Sequence, residues 1–222
     1  MKATAAPRVK VCCIASVEEA RLAIRLGAAA IGLVSEMPSG PGVIPEPLIA
    51  EIAAVVPPGI GTFLLTSRQS VDGIVNQQRR TRVNTVQVCD DLAEGALEGL
   101  RTALPGIALV QVIHVDGDGA IARAAAVASS VDAILLDSGN QRLAVKELGG
   151  TGRRHDWTIS RRIREQVDVP VYLAGGLTAE NVAEAIAVVQ PFALDVCSGV
   201  RIEGRLDADR LKAFFVAVRA AA

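Results

Sequence analysis

Short apolar runs alternate along the chain with stretches whose apolar positions recur every three or four residues. The runs rich in β-branched residues predict strands at Val9–Ile14, Ala30–Ser35, Ile60–Thr66, Val83–Val88, Ala108–Val115, Asp132–Leu136, Val169–Leu173 and Ala193–Cys197. Between them, Val17–Leu26 repeats apolar residues at Ala20, Ala23 and Ile24, the spacing of one helical face. Pro45–Val56, Val71–Arg80, Leu92–Ala103, Gly119–Ser129, Thr158–Gln166, Ala179–Val189 and Ala208–Ala220 read the same way. Ser16 with Glu19 three residues on is a capping box for the first helix, and Thr178 is the expected cap of the seventh.

Strict strand-then-helix alternation calls for a parallel sheet, because each crossover helix must return the chain before the next strand. Near-continuous apolar strands fit a sheet covered on both faces. Eight units predict an α/β fold, a single closed (β/α)8 TIM barrel over residues 9–222, preceded by a segment, 1–8, without structure. No G-x-G-x-x-G follows the first strand, so the dinucleotide-binding open sheet is disfavoured.

Composition narrows the function classes. The 222 residues are 50% hydrophobic and 21% charged, with a formal net charge of −1 and a mean hydropathy of +0.37. Dispersed Lys and Arg and only four Phe, one Tyr and one Trp leave no footprint for nucleic acid. No apolar run reaches the ~18 residues of a membrane span, and the first ten residues lack the apolar block of a signal peptide. Four scattered cysteines (Cys12, Cys13, Cys89, Cys197) and two histidines argue against a metal site or a disulfide framework and for a reducing cytoplasm.

In barrels of this type the chemistry sits at the carboxyl ends of the strands, with phosphate often held after strands seven and eight. Strand seven ends in Leu173-Ala174-Gly175-Gly176-Leu177 and strand eight in Asp195-Val196-Cys197-Ser198-Gly199-Val200. Glycines let a ligand approach backbone N–H groups, so Gly175, Gly176, Ser198 and Gly199 are candidate phosphate ligands. The long aperiodic stretch after strand six carries Gly149-Gly150-Thr151-Gly152, which adds Gly150 and Gly152 on the same face and gives the stretch the look of a lid. Cys12 closes strand one and Asp137 closes strand six, a pairing of thiol and carboxyl suited to acid–base work. Alternation along a strand allows only one of Cys12 and Cys13 to face the barrel interior. His114 reads as a solvated strand-end residue and His155 as exposed.

From Arg8 onward the chain resembles the phosphoribosylanthranilate isomerase family. Lys10-Val11-Cys12-Cys13-Ile14 is similar to that family's K-I-C-G-I opening. Leu135-Leu136-Asp137, Gly149-Gly150-Thr151-Gly152 with Asp156-Trp157, Leu173–Leu177 with Glu180-Asn181-Val182, and Asp195-Val196-x-Ser198-Gly199-Val200 match its later strands. The resemblance implies an Amadori rearrangement in tryptophan biosynthesis, in the cytoplasm, by a monomer or homodimer, with no cofactor or metal. It assigns Asp137 as general acid, Cys12 as general base, and the backbone around Gly175, Gly176, Ser198 and Gly199 to the phosphate. The family's S-P-R after strand two is replaced here by Ser39-Gly40-Pro41-Gly42, its Q-L-H-G by Gln87-Val88-Cys89-Asp90, and its acidic residue after strand eight by Arg201. Arg153, Arg154 and Arg201 are the candidates to supply the missing cation. The alternative reading is a diverged paralogue that acts on, or only binds, a different phosphosugar.

Overall fold

The computed structural model describes residues 6–139, 143–150 and 152–221. Eight parallel strands close into a barrel in sequence order: β1 (Arg8–Val11), β2 (Ala30–Val34), β3 (Gly61–Thr66), β4 (Thr85–Val88), β5 (Ala108–His114), β6 (Ala133–Asp137), β7 (Val171–Leu173) and β8 (Ala193–Val196). The helices between and after them are α1 (Val17–Leu26), α2 (Glu46–Ala54), α3 (Val71–Thr81), α4 (Ala96–Ala103), α5 (Gly119–Val127), α6 (Trp157–Gln166), α7 (Val182–Val189) and α8 (Ala208–Ala220). Of the segment expected to lack structure, residues 1–5 lie outside the described residues, while Arg8 already pairs with Ala193 in the barrel ladder. Among the described residues, no helix is long and apolar enough to cross a membrane.

Period-two alternation divides the strand side chains between two cores. Ile31, Leu33, Leu64, Ile134, Leu136 and Leu194 point outward and pack with the inner faces of the helices, including Phe214 of α8. Phe63, Leu65, Val110, Val112 and Leu135 form a separate cluster inside the barrel. Inward on β1 lies Lys10, fully buried, with its Nζ 2.9 Å from Asp195 Oδ2 and 5.2 Å from the centre of the Phe63 ring.

Local differences from the sequence reading have local causes. Asn181 accepts a hydrogen bond from the Thr178 N–H at 2.9 Å and donates to the Gly176 carbonyl at 2.8 Å, so residues 178–181 form a turn. Consequently α7 starts at Val182, not Ala179, and Thr178 is not its cap. Gly95, at φ +77°, turns the chain ahead of α4 and delays that helix to Ala96. Ser16 does cap α1, accepting the Glu19 N–H at 3.2 Å, while the Glu19 carboxylate takes the Ala15 N–H at 3.0 Å.

A small antiparallel hairpin absent from the sequence reading, β9 (Arg201–Ile202) and β10 (Arg205–Leu206), follows β8. Arg201 is buried and organises it. Its guanidinium pairs with Glu19 at 3.2 Å and donates to the carbonyls of Cys12 (3.1 Å), Cys13 (2.5 Å) and Gly204 (2.9 Å). Glu19 also accepts the Leu206 N–H at 2.9 Å, so one ion pair joins the end of β1, the start of α1 and the hairpin. Removing one partner of such a pair leaves the other charge buried and unpaired. Arg201→Met is expected to lower unfolding free energy by ~3–5 kcal/mol in urea titration. A loss below ~1 kcal/mol would mean that the pair is solvated in practice.

Candidate active site

The carboxyl ends of the strands enclose a cleft of about 690 Å³, and Cys12 and Asp137 both line it. Cys12 follows β1 directly and continues its ladder, with its N–H donating to Val196 at 2.8 Å. Its sulfur is inward like Lys10, whose Nζ lies 3.6 Å away. Gly32 of β2 makes room for both, because a Cβ there would stand 2.8 Å from the Cys12 sulfur and 3.1 Å from Lys10 Nζ. Burial alone would lower the Lys10 pKa, but Asp195 and the nearby Cys12 sulfur outweigh it, so the ammonium is held charged well above its ordinary range.

Asp137 ends β6 beside His114 of β5. One carboxylate oxygen accepts the Ser138 N–H at 2.7 Å, and the other abuts Gly149, where a Cβ would stand 2.6 Å from it. Burial raises the Asp137 pKa above the ordinary carboxylate range, against the lowering by the Ser138 hydrogen bond and by the His114 and Lys10 charges. A carboxyl displaced in this direction is better able to deliver a proton near neutrality.

Gly150, Gly152, Gly175, Gly176 and Ser198 line the same cleft. Gly175 and Gly176 take φ +87° and +63°, a pair of left-handed conformations that only glycine adopts without cost. Gly199 does not line the cleft. It packs behind it, where a Cβ would lie 2.0 Å from the Leu177 carbonyl oxygen, so its role is close backbone approach. Thr151, within the glycine stretch after β6, lies outside the described residues, as do residues 140–142.

Several expectations are corrected. Cys12 and Cys13 both line the mouth, because Cys13 adopts φ +60° just past β1 and leaves the strand's alternation. His114 is buried, with its Nε2 3.1 Å from the Cys89 carbonyl, and is not a solvated strand end. His155 is half-buried, 2.7 Å from the Ser160 hydroxyl, and its desolvation lowers its pKa to about 4. None of the three candidate arginines has a free guanidinium: Arg201 is held as described, Arg153 pairs with Glu147, and Arg154 pairs with Glu184 while stacking on Trp157 at 3.9 Å.

Sequence reasoning passed over Lys10 and Asp195 as site residues, although a lysine in an apolar strand at the inward parity of Cys12 had to find a buried carboxylate. Asp195 and Gln87 both line the cleft, and each keeps one buried oxygen (Oδ1 and Oε1) without a hydrogen-bond partner among the described residues. These are acceptors available to hydroxyl or amine N–H groups of a ligand. The mouth thus combines an acid, a thiol beside a fixed cation, two open acceptors and a glycine-rich rim at β7–β8.

A family model described as N-(5'phosphoribosyl)anthranilate (PRA) isomerase matches residues 9–217. The chain is 40% identical over 195 residues to N-(5'-phosphoribosyl)anthranilate isomerase 2 of Methanosarcina mazei, covering 87% of this chain and 85% of that protein. It is similar to the crystal structure of phosphoribosyl anthranilate isomerase from Thermotoga maritima, with a TM-score of 0.82 and 28% identity over 96% of this chain and 99% of that one. A phosphoribosyl anthranilate isomerase in complex with reduced 1-(o-carboxyphenylamino)-1-deoxyribulose 5-phosphate gives a TM-score of 0.79 and 27% identity, over 96% and 99% of the two chains. A family match running from the first strand of the barrel to its last helix, with relatives of this identity over nearly the whole length, means that this chain belongs to the phosphoribosylanthranilate isomerase family.

Proposed function

We propose that Cys12 and Asp137 are the base and the acid of the isomerisation of N-(5'-phosphoribosyl)anthranilate by this chain. Asp137 gives its proton to the ribose ring oxygen, which opens the ring to a Schiff base. The Cys12 sulfur takes the proton from carbon two. The resulting enolamine tautomerises to the aminoketose. Negative charge developing on the Cys12 sulfur meets the Lys10 ammonium 3.6 Å away, a preorganised electrostatic contribution. The substrate's own nitrogen serves as the electron sink.

The observation that carries this reading is the shared cleft: it is lined by a thiol beside a buried cation, by a carboxyl of raised pKa, and by Asp195 and Gln87, whose Oδ1 and Oε1 have no hydrogen-bond partner among the described residues. Gly175, Gly176 and Ser198, with Gly150 and Gly152, line the part of the mouth to which the reading assigns the phosphate. Gly199 supports that rim from behind. The reading also puts the enzyme in the cytoplasm, in tryptophan biosynthesis, as a monomer or homodimer.

In the closed strand order, β3 and β4 lie across from β7 and β8, so a phosphate at one side sends the aromatic acid toward the other. A cation on that side is Lys146, which stands beside the cleft, outside its lining. Its carbonyl accepts the Ser39 hydroxyl at 2.6 Å, and its ammonium reaches Asp90 past the end of β4 at 2.7 Å. An ammonium has three donors, so a substrate carboxylate is able to share it with Asp90. This is the position from which Lys146 supplies the charge absent from Ser39–Gly42.

Turnover is followed as loss of anthranilate-type fluorescence from freshly made N-(5'-phosphoribosyl)anthranilate. Cys12→Ser and Asp137→Asn are each expected to lower kcat by ~10²–10⁴-fold, the usual scale of a lost acid or base. A folded variant at either position that keeps wild-type kcat overturns the assignment of that residue. Because Lys146 is partly exposed, Lys146→Met is expected to raise KM only about fivefold, with kcat within a factor of two. An unchanged KM would remove Lys146 from the aromatic end.

A further inference from the structure

Two cysteines in the mouth have no part in the acid–base scheme. Cys13 and Cys197 are free thiols from the ends of β1 and β8, 184 residues apart in sequence, and their sulfurs stand 2.9 Å apart. That is within about 1 Å of the ~2.05 Å disulfide bond length. Both line the cleft, so a small solute that enters the mouth meets them. Cys13 also occupies a left-handed backbone position, φ +60°, where a side chain is disfavoured and where the resembling motif carries glycine. A thiol has been accepted there at some conformational cost. Its other neighbours are fixed: its sulfur lies 3.7 Å from the Pro41 carbonyl, and its own carbonyl is held by Arg201.

The two thiols are electronically unequal. Cys197 is held below the ordinary thiol range, first by the hydrogen bond it shares with Cys13 and then by the Arg201 charge, which outweigh its burial. Cys13 is pushed well above that range by sharing its proton with Cys12 and Cys197 and by burial. The pair therefore divides into a sulfur disposed to attack and a sulfur that retains its proton.

We propose that Cys13 and Cys197 are a modification site: a thiol pair that a hydroperoxide oxidises to a disulfide across the ends of β1 and β8, arresting turnover. The Cys197 thiolate attacks one peroxide oxygen. The S–O bond forms as the O–O bond breaks, sulfur becomes a sulfenic acid, and the departing oxyanion leaves as the alcohol, or as water from hydrogen peroxide, with the proton Cys197 had released. The Cys13 sulfur then attacks the sulfenic sulfur. The S–S bond forms, the S–O bond breaks, and hydroxide leaves as water with the Cys13 proton. Two thiols lose two electrons in all, and one peroxide takes them up. The bond would pull together the backbone that carries Cys12 and the loop that carries Ser198, and its effect on turnover rests on the catalytic reading above.

The test treats purified wild-type protein with one to a few equivalents of hydrogen peroxide, blocks remaining thiols, and maps peptides by mass spectrometry without reduction. The expected product is a cross-linked pair of peptides two hydrogens lighter than their sum, with fragment ions that assign the bond to Cys13 and not Cys12. Activity falls in step with that cross-link and returns on addition of dithiothreitol. Cys13→Gly, which also suits the left-handed backbone, and Cys197→Ser are each expected to need at least tenfold more peroxide for the same fractional loss of their own untreated activity. Loss of wild-type activity without the cross-link, or equal sensitivity of Cys13→Gly, places the oxidation on Cys12 and overturns the proposal. A cross-linked protein that keeps full turnover overturns it as well. A wild type that is inactive on the substrate before treatment, with both thiols still free, yet forms the cross-link on treatment contradicts the catalytic reading alone, because the cross-link is read by mass.

Discussion

A lysine with no exposed surface is the constraint around which the mouth is built. Lys10 and Asp195 sit opposite one another in the β1–β8 register and meet at 2.9 Å inside the barrel. Two charges removed from water persist only when paired at close range and further satisfied, and here the Phe63 ring and the Cys12 sulfur complete the surroundings of the ammonium. A slip of one residue in β1 would turn Lys10 into the apolar shell beneath the helices and carry Cys12 out of the mouth with it. The pair therefore sets the position of the Cys12 sulfur, the charge beside it, and the orientation of Asp195, whose Oδ1 is buried without a hydrogen-bond partner among the described residues.

The two ends of the cleft handle charge differently. At the β7–β8 rim, Gly175, Gly176 and Ser198 line the cleft with no charged side chain of their own. At the β2–β4 rim, the loop after β2 and the segment after β6 lean on each other through the Ser39–Lys146 contact and the close approach of Gly150 to Pro41. Cation and counter-ion there, Lys146 and Asp90, come from different loops. The arginines that sequence position nominated are committed elsewhere. Arg201 is the clearest instance: it stabilises the carbonyls at the turn after β1, and so supports the mouth without entering it.

Alternating patterns made much of this architecture legible. Helices α1 and α8 fall within their expected bounds, with Ser16 and Asp207 capping their first turns. That Cys12, Asp137, Gly150, Gly152, Gly175 and Gly176 share one mouth is legible because barrels gather such residues at the carboxyl ends of their strands. What escaped were relations set by tertiary packing. No pattern along the chain brings Cys13 to Cys197, since the approach depends on a left-handed turn at Cys13 and on barrel closure between β1 and β8. Asn181 looks like any helix-start residue until its amide is seen bridging Thr178 and Gly176. The β9–β10 hairpin is two residues per strand, too short to leave a period. Lys10 escapes for a related reason: a lysine inside an apolar run has no visible partner until barrel closure sets Asp195 opposite it.

The most direct test of this account is a double-mutant cycle on turnover, using Lys10→Met, Asp195→Asn and the combined variant, each first checked for folding by circular dichroism. If the ion pair acts as one unit that positions and faces Cys12, each single substitution costs about 10²-fold or more in kcat and the double substitution costs little beyond the larger single loss, the non-additivity expected of coupled groups. Losses that simply multiply, or singles with near wild-type kcat, would contradict the claim that the site depends on this pair.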